Sequence, residues 1–337
     1  MKPEEEDAMY GIFAYYGIQG YSQLLLLAVL VYDIIARPRS DRKEKVKLVP
    51  AHSLLLSIVS KDFRIGLIQL LVGKDKAANV QRAAEQIKIA KNNGSQMVIL
   101  PECFNSPYGT KYFPEYAEPI SSGYTCKSLS ASAAENQIYV IGGSIPESDG
   151  DKLYNTCTVW GPSGELLTKY RKIHLFDLDI PNRVLFRESD TLTAGNTLTT
   201  FSIFGCKIGI GICYDIRFEQ MARLYRNQGC DFLIYPGAFT MTTGPLHWEL
   251  LQRARAVDNQ VYVTAVSPAR DEACGYIAWG HTTLVDPLGK VVVQAGIEEE
   301  IVYGIIDLDR VEEVRQKFPV SKQSRNDLYE TRLVSRK

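Results

Sequence analysis

The chain is expected to fold as an α/β protein, and three observations carry that expectation. Apolar runs of strand length recur at 63–70, 97–100, 207–212, 232–236 and 261–266. Stretches with helical apolar spacing separate several of them. The elements also fall into two batches of alternating strand and helix, 63–143 and 207–266, which predicts two layers of similar make-up packed together. With 337 residues, 45% of them hydrophobic, the chain can build one large α/β body or two smaller ones. The formal net charge of -1 offers no electrostatic case for nucleic acid.

In chain order, residues 1–60 differ from the rest. Residues 10–32 carry no charge, with acidic Glu4 to Asp7 before them and Arg37, Arg39, Arg42, Lys43, Lys45 and Lys47 after. That length could span a bilayer, and the basic flank would leave the following domain on the cytoplasmic side. Gly11, Gly17, Gln19, Gly20 and Gln23 weaken the pattern. Three readings stand: a membrane anchor, an interfacial or partner-binding helix, or an appendage with no role in folding. The acidic start speaks against secretory and mitochondrial leaders.

Residues 63–70 read as a strand. Val80, Ala83, Ala84 and Ile87 recur at helical spacing, and Gly94 suits the helix end. A second strand, 97–100, ends in Pro101-Glu102, and a glutamate at the tip of a buried strand needs a partner or a purpose. Strands follow at 137–143, 154–160 and 165–170, the last two joined by Gly161-Pro162-Ser163-Gly164. Lys169, Arg171 and Lys172 then form either a wet charged edge or one inward-pointing fixed cation. Residues 186–189 and 193–195 look irregular.

The run 207–212 leads into Cys213 and a helix over 217–229. Beyond the strand 232–236 come a helix (247–257), a strand (261–266), a hairpin around Pro287-Leu288-Gly289, and an edge strand (301–308). From Val311 a charged tail is expected to reach onto a neighbour or the surface.

Open α/β sheets place their chemistry at the carboxyl ends of strands, which is where Cys213 stands. An isolated cysteine is most often a small core residue, so its companions must make the case. Seven scattered cysteines without a CxxC pair, and four histidines far apart, support neither a disulfide framework nor a zinc site. A reducing, cytosol-like compartment fits that usage. Cys103 and Cys230 read as packing. Cys103, next to Glu102 in an extended strand, would face the opposite layer.

Glu102, Lys172 and Cys213 now line up within Pro101-Glu102-Cys103-Phe104, Tyr170-Arg171-Lys172-Ile173-His174-Leu175-Phe176 and Gly211-Ile212-Cys213-Tyr214-Asp215-Ile216-Arg217-Phe218. These motifs, in this order, resemble the nitrilase (carbon-nitrogen hydrolase) superfamily from about Phe63 to the C-terminus. Phe104-Asn105-Ser106-Pro107-Tyr108-Gly109 and Thr243-Gly244-Pro245-Leu246-His247-Trp248-Glu249 resemble its omega-amidase branch.

The resemblance implies a four-layer α-β-β-α sandwich over 61–310, a dimer-contacting tail over 311–337, and a cytoplasmic homodimer. A mitochondrial or membrane-held fraction stays open. It also implies a catalytic triad of Glu102 (general base and acid), Lys172 (oxyanion stabiliser) and Cys213 (nucleophile), with Glu188 in support and no metal or organic cofactor. The implied substrates are α-keto acid amides, α-ketoglutaramate and α-ketosuccinamate. Arg217, Tyr108 and Thr243 are the candidate substrate contacts, because a distal carboxylate calls for a guanidinium or hydroxyl donors. The alternatives are an amidase for deaminated glutathione, a β-ureidopropionase, or a membrane-held inactive scaffold. A papain-like protease would need a histidine base, and His174 and His281 read as structural.

Overall fold

The computed structural model describes residues 62–180 and 184–334. The expectations placed on 1–60, including the uncharged 10–32 stretch, lie outside them. Among the described residues, no helix is long and apolar enough to cross a membrane.

The first half of the chain forms β1 (Asp62–Gln69), α1 (Lys76–Asn92), β2 (Met97–Ile99), α2 (Tyr124–Asn136), β3 (Tyr139–Ile141), β4 (Ile145–Asp149), β5 (Lys152–Trp160) and β6 (Leu166–Arg171). A small antiparallel pair follows, β7 (Asp177–Ile180) with β8 (Val184–Arg187). The second half forms β9 (Thr200–Ile203), β10 (Cys206–Ile210), α3 (Glu219–Asn227), β11 (Phe232–Pro236), α4 (Gly244–Asn259), β12 (Tyr262–Val266), β13 (Thr283–Val285), β14 (Val291–Gln294), β15 (Glu300–Asp307) and α5 (Leu308–Lys317).

The two batches become two sheets. One runs β15-β1-β2-β3-β5-β4, with β6 also paired to β5; the other runs β14-β13-β12-β11-β10-β9. Each has three parallel strands at its centre, β1-β2-β3 and β10-β11-β12, flanked by antiparallel ones. Side-chain alternation decides what each face meets. Ile65, Leu67, Met97 and Ile99 share a core with Ile208, Ile210, Phe232 and Ile234 of the second sheet. Ile68, Val98, Leu100 and Val140 point the other way, under Val80, Ala83 and Ile87 of α1 and Leu129 and Ala133 of α2. Met221, Ala222 and Tyr225 of α3 and Trp248 and Ala256 of α4 complete the core on the second sheet. The result is the expected α-β-β-α sandwich, and the central parallel strands of both sheets end toward the same chemistry.

Helix α2 has no counterpart in the sequence reading. Its buried face is Thr125, Cys126, Leu129, Ser132 and Ala133, too polar to announce an amphipathic stripe. The charged segment from Val311 begins as α5, with Val311 and Val314 buried and Arg315 2.6 Å from Asp231. Beyond it Leu328, Tyr329, Leu333 and Val334 are exposed.

Candidate active site

Three chain segments leave their strands at one place. Glu102 sits in a turn just past β2, interlocked with the segment after β3: Ser144 N–H donates to Pro101 O (3.1 Å) and Phe104 N–H to Ser144 O (3.2 Å). That interlock needs a glycine at 143, where φ is +55° and an added Cβ would lie 2.1 Å from Pro101 O. Lys172 follows β6, and its N–H donates to Asn155 O (2.8 Å) on β5. Alternation along β6 separates the cations. Lys169 and Arg171 reach Glu147 at 2.5 and 2.6 Å, while Lys172 turns inward and is fully buried.

Cys213 follows β10 and opens the 3₁₀ turn Cys213–Arg217 with φ +48°, a left-handed conformation that costs a non-glycine residue about 1 kcal/mol or more. Asp215 holds this turn in place. Its buried carboxylate accepts from Ile212 N–H (2.8 Å), Tyr170 OH (2.7 Å) and His174 N–H (2.9 Å), and meets the His174 ring at 2.7 Å.

The Lys172 ammonium lies 3.0 Å from Glu102 Oε1, and 3.0 and 2.9 Å from the two oxygens of Glu188. Glu102, Lys172 and Glu188 are at most 1% exposed. An ion cluster this dry survives only when every charge is hydrogen-bonded. Glu102 accepts from Asn155 Nδ2 and Ala238 N–H, both at 2.9 Å. Glu188 accepts from Tyr108 OH (2.6 Å) and Phe176 N–H (2.7 Å). Two carboxylates use two of the three Lys172 N–H directions, which leaves one to aim at a reacting oxygen.

Cys213 contacts both Glu102 and the Ala238 amide. Burial pushes the Cys213 thiol well above its usual range; the Glu102 charge pushes the same way and Lys172 opposes. Burial likewise raises the Glu102 carboxyl, against the pull of Lys172. For Lys172, burial would lower the pKa, but the Glu102 and Glu188 carboxylates outweigh it and hold the ammonium well above its ordinary value. The raised Cys213 and Lys172 groups favour a resting thiol and ammonium, and Cys213 and Glu102 titrate as a pair.

Cys213 lies in a narrow depression lined also by Phe176, Tyr214, Arg217, Phe239, Thr243 and Tyr276. Two of the expected substrate contacts are here. Arg217 pairs with no carboxylate among the described residues; its guanidinium meets the His247 ring (3.2 Å) and the faces of Phe239 and Tyr214. The Thr243 hydroxyl lies 3.2 Å from that of Thr240. Tyr108 lies elsewhere, on a neighbouring cavity wall with Glu102 and Cys103, and its hydroxyl is taken by Glu188. Tyr276 separates the two spaces, its hydroxyl donating to Ala238 O.

Cys103 corrects the sequence reading. It occupies a left-handed turn (φ +50°) rather than an extended strand, so it shares the cavity wall with Glu102 instead of facing the opposite layer. Asn155, Asp215 and Tyr276 were missed. Asp215 at least carried a signal, a carboxylate two residues past the nucleophile inside an apolar segment.

The carbon-nitrogen hydrolase family model matches residues 64–316. The omega-amidase NIT2 of Xenopus tropicalis is 58% identical over 267 residues, covering 79% of this chain and 96% of that protein. Human omega-amidase NIT2 is also 58% identical over 267 residues, with the same coverage of 79% and 96%. Among solved structures, Saccharomyces cerevisiae Nit3, a member of branch 10 of the nitrilase superfamily, superposes with a TM-score of 0.73 at 44% identity, over 78% of this chain and 97% of its own.

Proposed function

Because the chain belongs to the carbon-nitrogen hydrolase family, we propose that it is an omega-amidase, an enzyme that hydrolyses the terminal amide of α-ketoglutaramate and α-ketosuccinamate to the dicarboxylate and ammonia. The observation that supports this most is the buried Lys172 ammonium bridging Glu102 and Glu188 beside Cys213.

An amide is a poor electrophile with a poor leaving group, and a thiol nucleophile divides its hydrolysis into two easier steps. Glu102 takes the Cys213 proton as sulfur bonds to the amide carbon. Negative charge builds on the former carbonyl oxygen. The remaining Lys172 N–H and the Tyr214 amide, in the first turn of the helix behind Cys213, stabilise it. Glu102 returns its proton to the departing nitrogen, the C–N bond breaks, and ammonia leaves a thioester. Glu102 next deprotonates water for attack on the thioester carbon, and the released sulfur recovers a proton. Glu188 and Tyr108 keep Lys172 in position throughout. Arg217 takes the distal carboxylate, a role supported by its lack of a carboxylate partner among the described residues.

Product release by the purified chain tests this reading: ammonia from α-ketoglutaramate or β-ureidopropionate, and the free amine of the dipeptide from deaminated glutathione. The kcat/KM for α-ketoglutaramate is expected to exceed that for deaminated glutathione and for β-ureidopropionate by about 100-fold or more, because the rivals share its distal carboxylate and differ in the group around the reacting carbonyl, which a fitted pocket discriminates. Faster turnover of either rival substrate would overturn the assignment.

We also propose a homodimer in a reducing, cytoplasmic setting. Support comes from the exposed Leu246, Leu250 and Val257 on α4, the exposed apolar side chains of the tail, and seven unpaired cysteines. Sedimentation should report two copies, and Leu250→Glu should shift the protein to one. A parent protein that sediments as a single copy at micromolar concentration contradicts the proposal.

A further inference from the structure

We propose that His247 is the positioning residue that aims the Arg217 guanidinium at the distal carboxylate, and so sets the preference for acidic over neutral amides. This inference rests on the reading of Arg217 as the carboxylate anchor and names what makes that anchor work.

Arg217 is the last residue of the turn that begins at Cys213, so its backbone is tied to the nucleophile. Arg255, itself 7% exposed, donates to Ile216 O and Arg217 O, both at 2.9 Å, and fixes the end of that turn. The side chain is directed separately. Its guanidinium carbon lies 5.0 Å from the Phe239 ring centre and 5.6 Å from that of Tyr214. Nη1 lies 3.2 Å from His247 Nδ1. A guanidinium has five N–H donors and no acceptor, so a hydrogen bond at this contact requires Nδ1 to offer its lone pair and Nε2 to carry the ring proton. His247 stands in the first turn of α4, where its N–H donates to Thr243 O (2.9 Å), and Thr243 lines the same depression as Cys213 and Arg217.

The choice of partner matters chemically. A carboxylate here would hold Arg217 equally well but would neutralise it, and the substrate would meet a spent cation. Two aromatic faces and a neutral acceptor orient the guanidinium while leaving its charge for the ligand. One edge is committed to His247, and the others stay available for two-pronged recognition of a carboxylate.

Steady-state kinetics on α-ketoglutaramate test this with four single variants and one double. His247→Leu is expected to raise KM about tenfold with kcat within about twofold, the effect of losing one hydrogen bond to a charged group. His247→Asn, whose Oδ1 stands where Nδ1 did, should stay close to the parent. His247→Gln, which reaches toward the Nε2 position instead, should behave like His247→Leu and replaces it if the leucine variant fails to fold. Arg217→Met should raise KM further, and adding His247→Leu to it should change nothing more.

If Arg217→Met raises KM and the leucine and glutamine variants do not, the positioning role is overturned while the anchor stands. If Arg217→Met leaves KM unmoved, the anchor reading itself fails, and this inference with it. Equal losses in the asparagine and leucine variants mean a packing role only.

Discussion

Replacing Cys213 by alanine is expected to lower kcat for ammonia release by about 10⁴-fold or more while leaving the fold intact. Removal of a covalent nucleophile leaves only positioning and oxyanion stabilisation, which act on a water that has no route through a thioester. Stability should change by less than about 1 kcal/mol. Alanine has no more difficulty than cysteine with φ +48°, and the Glu102–Lys172–Glu188 cluster keeps all its partners. Cys103 is the internal control. It is buried against the same cavity wall as Glu102, and burial pushes its thiol well above the usual range. Cys103→Ala should keep kcat within a fewfold. Thermal unfolding and initial rates on the two variants decide the matter. Comparable losses in both would mean that the wall, not the sulfur at 213, carries the chemistry.

Glu102→Gln is expected to cost about 10³- to 10⁴-fold in kcat, at the upper end for a general base because the same group acts twice. The amide keeps the shape of the side chain, and Lys172 retains Glu188, so an unpaired buried charge is not created. The protein should fold. The pH profile adds a second readout. The base must be deprotonated to act, so kcat/KM falls as pH drops through its titration. Burial raises the Glu102 carboxyl, with Lys172 opposing, so the parent's acid limb lies above the ordinary glutamate range. It belongs to the Cys213–Glu102 pair jointly. Lys172, held well above its ordinary value by two carboxylates, contributes no alkaline limb near neutrality. Glu102→Gln should erase the acid limb as well as the rate. A variant that keeps the limb would move the base elsewhere, with His174, 2.7 Å from Asp215, the first residue to examine.

The parts of this site that were legible in the chain share a property: their chemistry is improbable for their position. A glutamate at the tip of a buried strand and a lysine entering an apolar run each contradict ordinary burial rules, and both converge on the cysteine after a glycine-rich strand. The supporting residues do not stand out in this way. Asn155 is one polar residue in a strand, and only the approach of β2 makes it a donor to Glu102. His247 lies on a helix far along the chain and meets Arg217 only through the packing of α4 on the nucleophile turn. Tyr276 sits in a loop without periodicity.

Fold errors had a similar origin. Strand β10 ends at Ile210 rather than 212 because Asp215 captures the Ile212 amide and starts the turn early. Cys103 was assigned to a face by strand alternation, which lapses once the backbone turns left-handed. Helix α2 buries serine, threonine and alanine, so apolar periodicity could not find it.

Trapping the covalent intermediate is the most direct test. The full chain mixed with α-ketoglutaramate, quenched in acid during the first turnover and digested, should carry the ketoglutaryl group on the peptide containing Cys213, formed in step with one equivalent of ammonia. Glu102→Gln should show neither signal. Ammonia released without any adduct, or an adduct on Cys103, would contradict the account.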